Sequence, residues 1–379
     1  MSPISKREYL QSILLPYRSA SKKRKSQILN EFCLVCGYHK KHAIRLLNHH
    51  KRFTKPKPKR RGRASRYNRP AILWPLKQIW LAANLPCSSR LKAIIPLWLP
   101  FYPEPLSVKV KEALFSISAA TIDRLLRSVR IKYGKRGRST TKPGTLLKKH
   151  IPIKTKQWDE TRPGFIEADT VAHCGGSLAG EFAYTVDTVD IATGWTEQRA
   201  ALGKGEAGVL LQLKDIEASY PFPLLGFDSD NGGEFINYHA FKYFTQREKP
   251  VAFTRSREYE SNDNAHVEQK NWTQVRQYFG YSRLDDPRVV DLMNELYRSE
   301  WRLYLNFFLP SVKLLSKERI GSKTIKKHDK PKTPYQRVLE SEHVSVQNKT
   351  ILKEQFKTLN PFNLKKQVEK KLAKIFNLH

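Results

Sequence analysis

Three carboxylates stand where chemistry on phosphodiesters would need them. Asp169 lies in GFIEADTVAH, flanked by apolar Phe165, Ile166 and Ala168. Asp230 closes the run LLGFDSD and precedes Asn231-Gly232-Gly233, and Glu268 follows Asn262-Asp263-Asn264 inside DNAHVEQKNW. Two hard cations about 4 Å apart stabilise the attacking and leaving oxygens of an in-line displacement. Mg²⁺ takes oxygen ligands and keeps waters, so two or three carboxylates suffice to hold such ions. One carboxylate must bridge both ions, and Asp169, on a central strand, is the sensible bridge. The apolar flanks speak against three unrelated surface acids, because a lone buried carboxylate is costly.

Other polar residues invite competing readings. Asp228 shares strand parity with Asp230, so both can face one side; Asp230 is favoured by its place at the strand end beside the glycine turn. Asp187 and Asp190 lie on a middle strand, where they can buttress the core or cap a turn. His173 and His266, close in sequence to Asp169 and Glu268, can orient water or contact phosphate, or simply be hydrogen-bonded structural groups. Cys33 and Cys36 followed by His39 and His42 resemble a zinc set, but the pairs lack the long spacer of such modules. Both cysteines also match an apolar helix period, which favours core packing.

The elements that must position the carboxylates follow from periodicity. Strands are expected at GFIEADTVAH and, joined at Ala192-Thr193-Gly194, within EFAYTVDTVDIATGWTEQRAAL. A helix over 205–219, a strand ending in LLGFDSDN, a helix over 233–248, a strand over 251–256 and a helix over 263–280 complete the order β-β-β-α-β-α-β-α. Meandering strands followed by alternating helix and strand give a mixed sheet covered by helices. Upstream, residues 1–52 read as a helix-turn-helix region, with Ile28, Phe32 and Val35 before Gly37 and Ile44 and Leu47 after it. A basic linker (53–70) leads to a second helical region (71–131), in which Ile122, Leu125, Leu126 and Val129 face inward and Arg124, Arg127 and Arg130 outward. A second basic linker (132–154) precedes the mixed-sheet core (155–300). A basic, mainly helical region (301–379) follows, with helix starts at Thr333-Pro334 and Asn360-Pro361.

Charge divides the chain the same way. Of 379 residues, 69 are Lys or Arg and 35 Asp or Glu, a net charge of +34. Residues 1–150 hold 35 basic and 5 acidic side chains, 151–300 hold 16 and 24, and 301–379 hold 18 and 6. Basic ends of this strength call for a polyanion, and nucleic acid releases counterions when it binds them. Arg61 and Arg63 in one linker, with Lys135, Arg136 and Arg138 in the other, are candidate DNA contacts. They suit either minor-groove arms or plain phosphate contact. Arg124 and Arg127 near the start of a helix are candidate base readers. The four cysteines are too few for a secreted disulfide framework, and no run reaches the ~20 apolar residues of a membrane span. A cytoplasmic, nucleoid-associated protein is expected.

Residues 160–310 resemble the catalytic core of retroviral-type integrases and related insertion-sequence DDE transposases. The matching residues are Asp169-Thr170, Asp230-Asn231-Gly232 and the run Asn264-Ala265-His266-Val267-Glu268-Gln269-Lys270-Asn271, with the family's spacing from second to third acid. The resemblance implies an α/β RNase H-like core. It also implies catalytic and metal-ligating roles for Asp169, Asp230 and Glu268, with two Mg²⁺ or Mn²⁺ ions as cofactors. The implied activity cuts element ends and joins their 3′-hydroxyls to target DNA. The implied partners are double-stranded DNA and further copies of the chain. Two departures stand out. Retroviral integrases carry lysines four and seven residues after the glutamate, where this chain has Trp272 and Val275; Lys270 or Arg276 would have to supply those contacts. Their amino-terminal His-His-Cys-Cys module is also missing. The alternatives are a purely hydrolytic RNase H-like nuclease, with Glu206, Asp215 or Glu217 as an added acid, and a non-enzymatic DNA-binding regulator.

If Arg124 pairs with a base, Arg124→Ala narrows the affinity gap between the element's own end and a scrambled duplex by about 1–3 kcal/mol. Arg136→Ala weakens both alike. Competition titration at one salt concentration measures the ratio, and an unchanged ratio for Arg124→Ala removes this helix as the reader.

Overall fold

The protein is described from a computed structural model over residues 1–48, 66–67, 69–133, 160–230, 232–255, 265–320 and 323–378. The chain divides into two units, 1–65 and 66–379. In the first, α1 (Pro3–Ser19), α2 (Lys22–Cys36) and α3 (Lys40–Asn48) enclose their own core. Ser2 and Ser21 cap α1 and α2 by accepting backbone N–H groups in the first turn. Gly37 ends α2 in the left-handed region at φ 67°, where a side chain would be strained. The inward stripe of α2 is Ile28, Leu29, Phe32 and Cys36, while Val35 is exposed. The stripe follows the i, i+4, i+8 row and not the i+7 position expected for Val35. The thiols of Cys33 and Cys36 are free; Cys36 is buried and Cys33 packs against the same cluster.

The second unit is built on a five-stranded sheet of order β3-β2-β1-β4-β5. Its strands are β1 (Phe165–Ala172), β2 (Ala183–Asp190), β3 (Thr196–Leu202), β4 (Gly226–Ser229) and β5 (Ala252–Arg255). The first three are antiparallel to one another; β4 and β5 run parallel to β1. With α8 (Glu206–Ser219) between β3 and β4 and α9 (Tyr238–Thr245) between β4 and β5, this is the RNase H-like arrangement. The helix expected over 233–248 begins only at Tyr238, where Asn237 caps it; residues before that form the turn after β4. Among the described residues α10 (Ala265–Lys270) runs on as a π-helix over Asn271–Arg276 into the turn α11 (Gln277–Phe279). Downstream, α12 (Pro287–Leu296) leads through a π-helical segment to α13 (Arg302–Phe308).

Helices α4 (Pro70–Ala82), α5 (Ser88–Trp98), α6 (Val108–Ser116) and α7 (Ala119–Arg130) do not form the separate module that the basic linker suggests. Their apolar faces join one continuous core with the sheet and the carboxy-terminal helices. Trp98 Nε1 donates to the Phe308 carbonyl at 3.2 Å, and the Tyr304 hydroxyl donates to the Ala82 carbonyl at 2.6 Å. The carboxy-terminal region is helical, as expected, apart from the hairpin β6 (Leu314–Ile320) and β7 (Lys323–His328). Thr333 forms a capping box with Gln336 at the start of α14 (Pro334–Glu340). After α15 (Val346–Thr358), Asn360 caps α16 (Pro361–Asn377), which buries Leu364, Val368, Leu372 and Ile375.

Strand β3 is an edge, and two buried asparagines cover it. Asn294 of α12 donates to the Ala200 carbonyl (2.9 Å) and accepts from its N–H (2.8 Å); Asn306 of α13 does the same at Thr196 (2.8 and 2.9 Å). Each amide imitates one residue of a neighbouring strand and closes an edge that would otherwise pair with another chain. Asn306→Ala strands one buried donor and one buried acceptor, so a loss of about 2–4 kcal/mol in urea unfolding is expected. A loss below ~0.5 kcal/mol would mean that water takes over both groups.

Candidate active site

The sheet register lines up the acids. Asp169 of β1 pairs with Asp187 of β2, which pairs with Gln198 of β3. On the other side Glu167 pairs with Asp228 and Ala168 with Ser229. Continuing that parallel register by one residue carries Asp230 to the level of Asp169. Directly paired residues share a sheet face, so Glu167, Asp169, Asp187 and Asp228 lie on one side. Helix α10 crosses this face: the His266 and Val267 N–H groups donate to Glu167 Oε2 at 3.0 and 3.1 Å, and Asn271 Nδ2 donates to Asp169 Oδ2 at 2.5 Å. Glu268 is thereby carried over the same strands on the helix that Glu167 anchors.

The acids differ in what compensates them. Glu167 is fully buried and takes the first N–H groups of α10, an arrangement that suits a helix N-terminus. Burial still pushes it up to about 8, with Asp228 and Glu268 adding repulsion. Asp187, also fully buried, accepts from Gln198 Nε2 (2.7 Å) and Thr196 Oγ1 (3.4 Å), and burial raises it to about 7. Asp228 accepts from Thr254 Oγ1. Asp190 accepts from the Gly164 and Thr193 N–H groups and the Thr193 hydroxyl, and so caps the turn between β2 and β3. Asp169 accepts the Thr170 N–H on Oδ1 (2.7 Å) and Asn271 on Oδ2; burial and then the Asp230 charge push it up to about 8. Asp230 is raised by burial and by Glu234, and Glu268 by burial and by Asp230. The three acids therefore sense one another electrostatically in the order Asp169, Asp230, Glu268.

A second layer holds this group in place, and sequence reasoning had not assigned it. Glu234 accepts from the Thr170 hydroxyl (2.8 Å) and from Lys204 Nζ (2.5 Å), tying β1 to the turn after β4. Lys204 is also the positive charge that offsets Asp230. Gly232 donates to Asp230 Oδ1 at 3.0 Å, and a Cβ there would meet Glu234 Oε2 at 2.7 Å and Asp230 Oδ1 at 2.9 Å. Strand parity could have flagged Glu167, two residues before Asp169. Nothing in the sequence marks Lys204, whose role arises from a loop 30 residues away from Glu234.

The remaining candidates are scattered. His173 is buried against Thr185 Oγ1 (2.8 Å), and burial lowers it to about 3. His266 sits with Nε2 4.0 Å from Glu167 Oε1. Arg124 and Arg127 are exposed on α7, whereas Arg130, expected outside with them, is tied to Asp123 and to Ser88 Oγ (2.9 Å). Lys270 does not lie beside Glu268; it lines a cavity with Arg90 and Gln274. Arg276 reaches the Gly280 carbonyl and stacks over Tyr281. Arg61, Arg63, Lys135, Arg136, Arg138, Asn231 and the run 256–264 lie outside the described residues. Asp215 pairs with Arg199 (2.6 Å) and Arg298 (2.7 Å), and Glu217 with Arg247 (2.9 Å), so neither is available as an extra site acid.

Among the described residues no three His, Cys, Asp or Glu side chains converge closely enough to make a complete metal-binding group. The donors themselves fit a hard divalent cation: all are oxygens, and the Asp230 charge raises the proton affinity of both Asp169 and Glu268 in a way that a cation would relieve.

A buried carboxyl whose folded pKa exceeds its unfolded value binds more protons folded than unfolded, so its contribution to stability falls as pH rises between the two. For Asp187 that window runs from its ordinary value of 3.8 up to about 7. Relative to Asp187→Asn, the wild type should lose a few kcal/mol of unfolding free energy between about pH 4 and pH 8. Parallel urea titrations of both proteins measure it; a difference that is flat with pH means Asp187 is ionised throughout.

No protein-family model matches the chain. Two solved structures with related folds are the catalytic core domain of BIV integrase and a simian T-cell lymphotropic virus intasome in complex with the PP2A regulatory subunit B56 gamma. The first is 17% identical, with a TM-score of 0.30, covering 48% of this chain and 96% of that one. The second is 15% identical, with a TM-score of 0.31, covering 59% and 68%. The uncharacterized protein y4rM of Sinorhizobium fredii (strain NBRC 101917 / NGR234) is 38% identical over 344 residues, covering 89% of this chain and 96% of its own length. At that identity and coverage the chain belongs to the same family as y4rM.

Proposed function

We propose that the chain is a DNA transposase of the retroviral-integrase-like group, which cuts element ends and joins them to target DNA. What supports this reading is that Asp169 lies on β1 of an RNase H-like sheet, Asp230 follows β4 at the same level, Glu268 rides on the helix that Glu167 anchors, and the Asp230 charge raises both Asp169 and Glu268. The register supports Asp230 over Asp228 as second acid, because Asp228 stands beside Glu167 and accepts from Thr254. Asp169, Asp230 and Glu268 would hold Mg²⁺ or Mn²⁺. Two such ions supply the positive charge that stabilises both the attacking and the leaving oxygen of an in-line displacement.

The chain's own residues prepare that site. Asn271 and the Thr170 N–H orient the Asp169 carboxylate. Glu167 fixes the helix that carries Glu268, and Glu234 with Lys204 holds the turn that carries Asp230. The basic ends, with Arg61, Arg63, Arg124, Arg127, Lys135, Arg136 and Arg138, would grip double-stranded DNA. Function as a homo-oligomer on DNA is part of the same reading. For a purely hydrolytic nuclease the added acid could only be Glu206, since Asp215 and Glu217 on α8 are bound in ion pairs. Among the described residues no helix is long and apolar enough to cross a membrane.

Asp169→Asn, Asp230→Asn and Glu268→Gln keep shape and remove charge. Each should lower strand transfer by at least ~10³-fold while leaving duplex binding within about twofold. A gel assay with pre-cut ends and Mg²⁺ reads the joining step. An active Asp230→Asn beside an inactive Asp228→Asn would reassign the second acid.

A further inference from the structure

A cavity of about 90 Å³ opens between the turn after α4, the start of α5, the π-helical segment after Glu268 and the chain after α13. Its polar lining is Asn84, Arg90, Lys270, Gln274, Gln277 and Ser311, with Thr273 beside them and no carboxylate among the described residues. A single water needs about 10–15 Å³ of such space, so a tetrahedral oxyanion has ample room. The Lys270 ammonium makes no hydrogen bond or ion pair among the described residues; the charges acting on it are Asp187, Arg90 and Arg337. Two of these have other partners. Arg337 is held by Asp329 (2.5 Å) and by the Ser311 carbonyl (2.9 Å), and Asp187 by Gln198 and Thr196.

Hydrogen-bond direction makes the lining rich in donors. Asp187 can only accept when ionised, so Gln198 presents its NH₂ group to it. That same NH₂ meets Gln274 Oε1 at 2.9 Å. The Gln274 oxygen is thus engaged inside, which leaves its N–H groups for the cavity. Gln277 Oε1 likewise accepts from Asn84 Nδ2 at 2.7 Å and leaves its own NH₂. The cavity lip is strained as well: Asn84 and Leu85 both lie in the left-handed region, at φ 60° and 58°. Leucine rarely adopts it. The turn is held there by Leu85 N–H to the Trp80 carbonyl (2.9 Å) and Trp80 Nε1 to the Pro86 carbonyl (3.0 Å). Strain of this kind survives only where surroundings over-determine it, and it gathers at ligand sites.

We propose that this cavity is a phosphate subsite in which Lys270 and Arg90, aided by the Gln274 and Gln277 amides, grip a backbone phosphate of the nucleic acid being processed. It rests on the phosphoryl-transfer reading for the source of the phosphate. Lys270 and Glu268 are two residues apart on one helix, about 200° around its axis. Glu268 is exposed on its side of α10, while Lys270 is half-buried at the cavity, where Asp187 is the acid whose charge reaches it.

The test uses the full chain and needs no turnover. Acylation of Lys270, mapped by mass spectrometry, should slow about threefold or more in inorganic phosphate relative to chloride at matched ionic strength. Arg90→Gln should abolish that protection. In salt titrations of duplex binding, Lys270→Gln should lower the slope by about one phosphate contact, and Lys270→Arg should restore it. Equal modification in phosphate and chloride overturns the subsite. Protection by phosphate with unchanged slopes overturns the nucleic-acid assignment, leaving a pocket for free anion. A chain that binds DNA through Lys270 but never cuts or joins it would sink the transposase reading and leave this subsite standing.

Discussion

Like charges brought together on a buried sheet face are the constraint around which the unit 66–379 is arranged. Glu167, Asp169, Asp187, Asp228 and Asp230 come from three neighbouring strands or their ends. Unpaired, such a group would be prohibitive. The surrounding elements meet the demand one acid at a time. Glu167 receives a helix N-terminus, Asp187 an amide and a hydroxyl, and Asp228 a hydroxyl. The Asp230 charge raises Asp169, and Asp230 is itself raised by burial and by Glu234. Glu167, Asp187 and Asp228 are thus held by uncharged donors of the fold, whereas Asp230 is offset by the Lys204 charge.

That division also accounts for the acidic middle of a basic chain. Many of its carboxylates are structural. Glu197 lies fully buried between Arg199 (3.6 Å) and Arg302 (2.7 Å); Asp215 joins Arg199 to Arg298. Such pairs fasten α8, β3 and the α12–α13 segment to one another. A buried pair of this type specifies an arrangement more than it adds stability, because desolvation offsets much of its attraction.

The covering of the sheet has the same economy. Asn294 and Asn306 seal β3, and α4–α7 pack their apolar faces onto the sheet unit through Trp98 and Tyr304. A region that reads from sequence as an independent DNA-binding piece therefore shares one core with the sheet. One consequence is the strained turn at Asn84 and Leu85, which is held against α11 by Gln277 and brings Arg90 to the cavity that Lys270 lines.

Local pattern alone determined the order of elements from 165 to 280, the strand carrying Asp169, the strand end carrying Asp230, the helix carrying Glu268 and the caps at Thr333 and Asn360. These depend on periodicity, flanking residues and turn chemistry, which act over a few positions. Local pattern misjudged Val35 and Arg130, because which side of a helix meets a neighbour depends on where that neighbour lies. Glu167 as the anchor of α10, Lys204 as the counter-charge of Asp230 and Asn306 as a substitute strand were decided only by tertiary structure. Each works through partners 26 to 110 residues away. Compensation of a buried charge depends on distance in space, and no spacing along the chain encodes it.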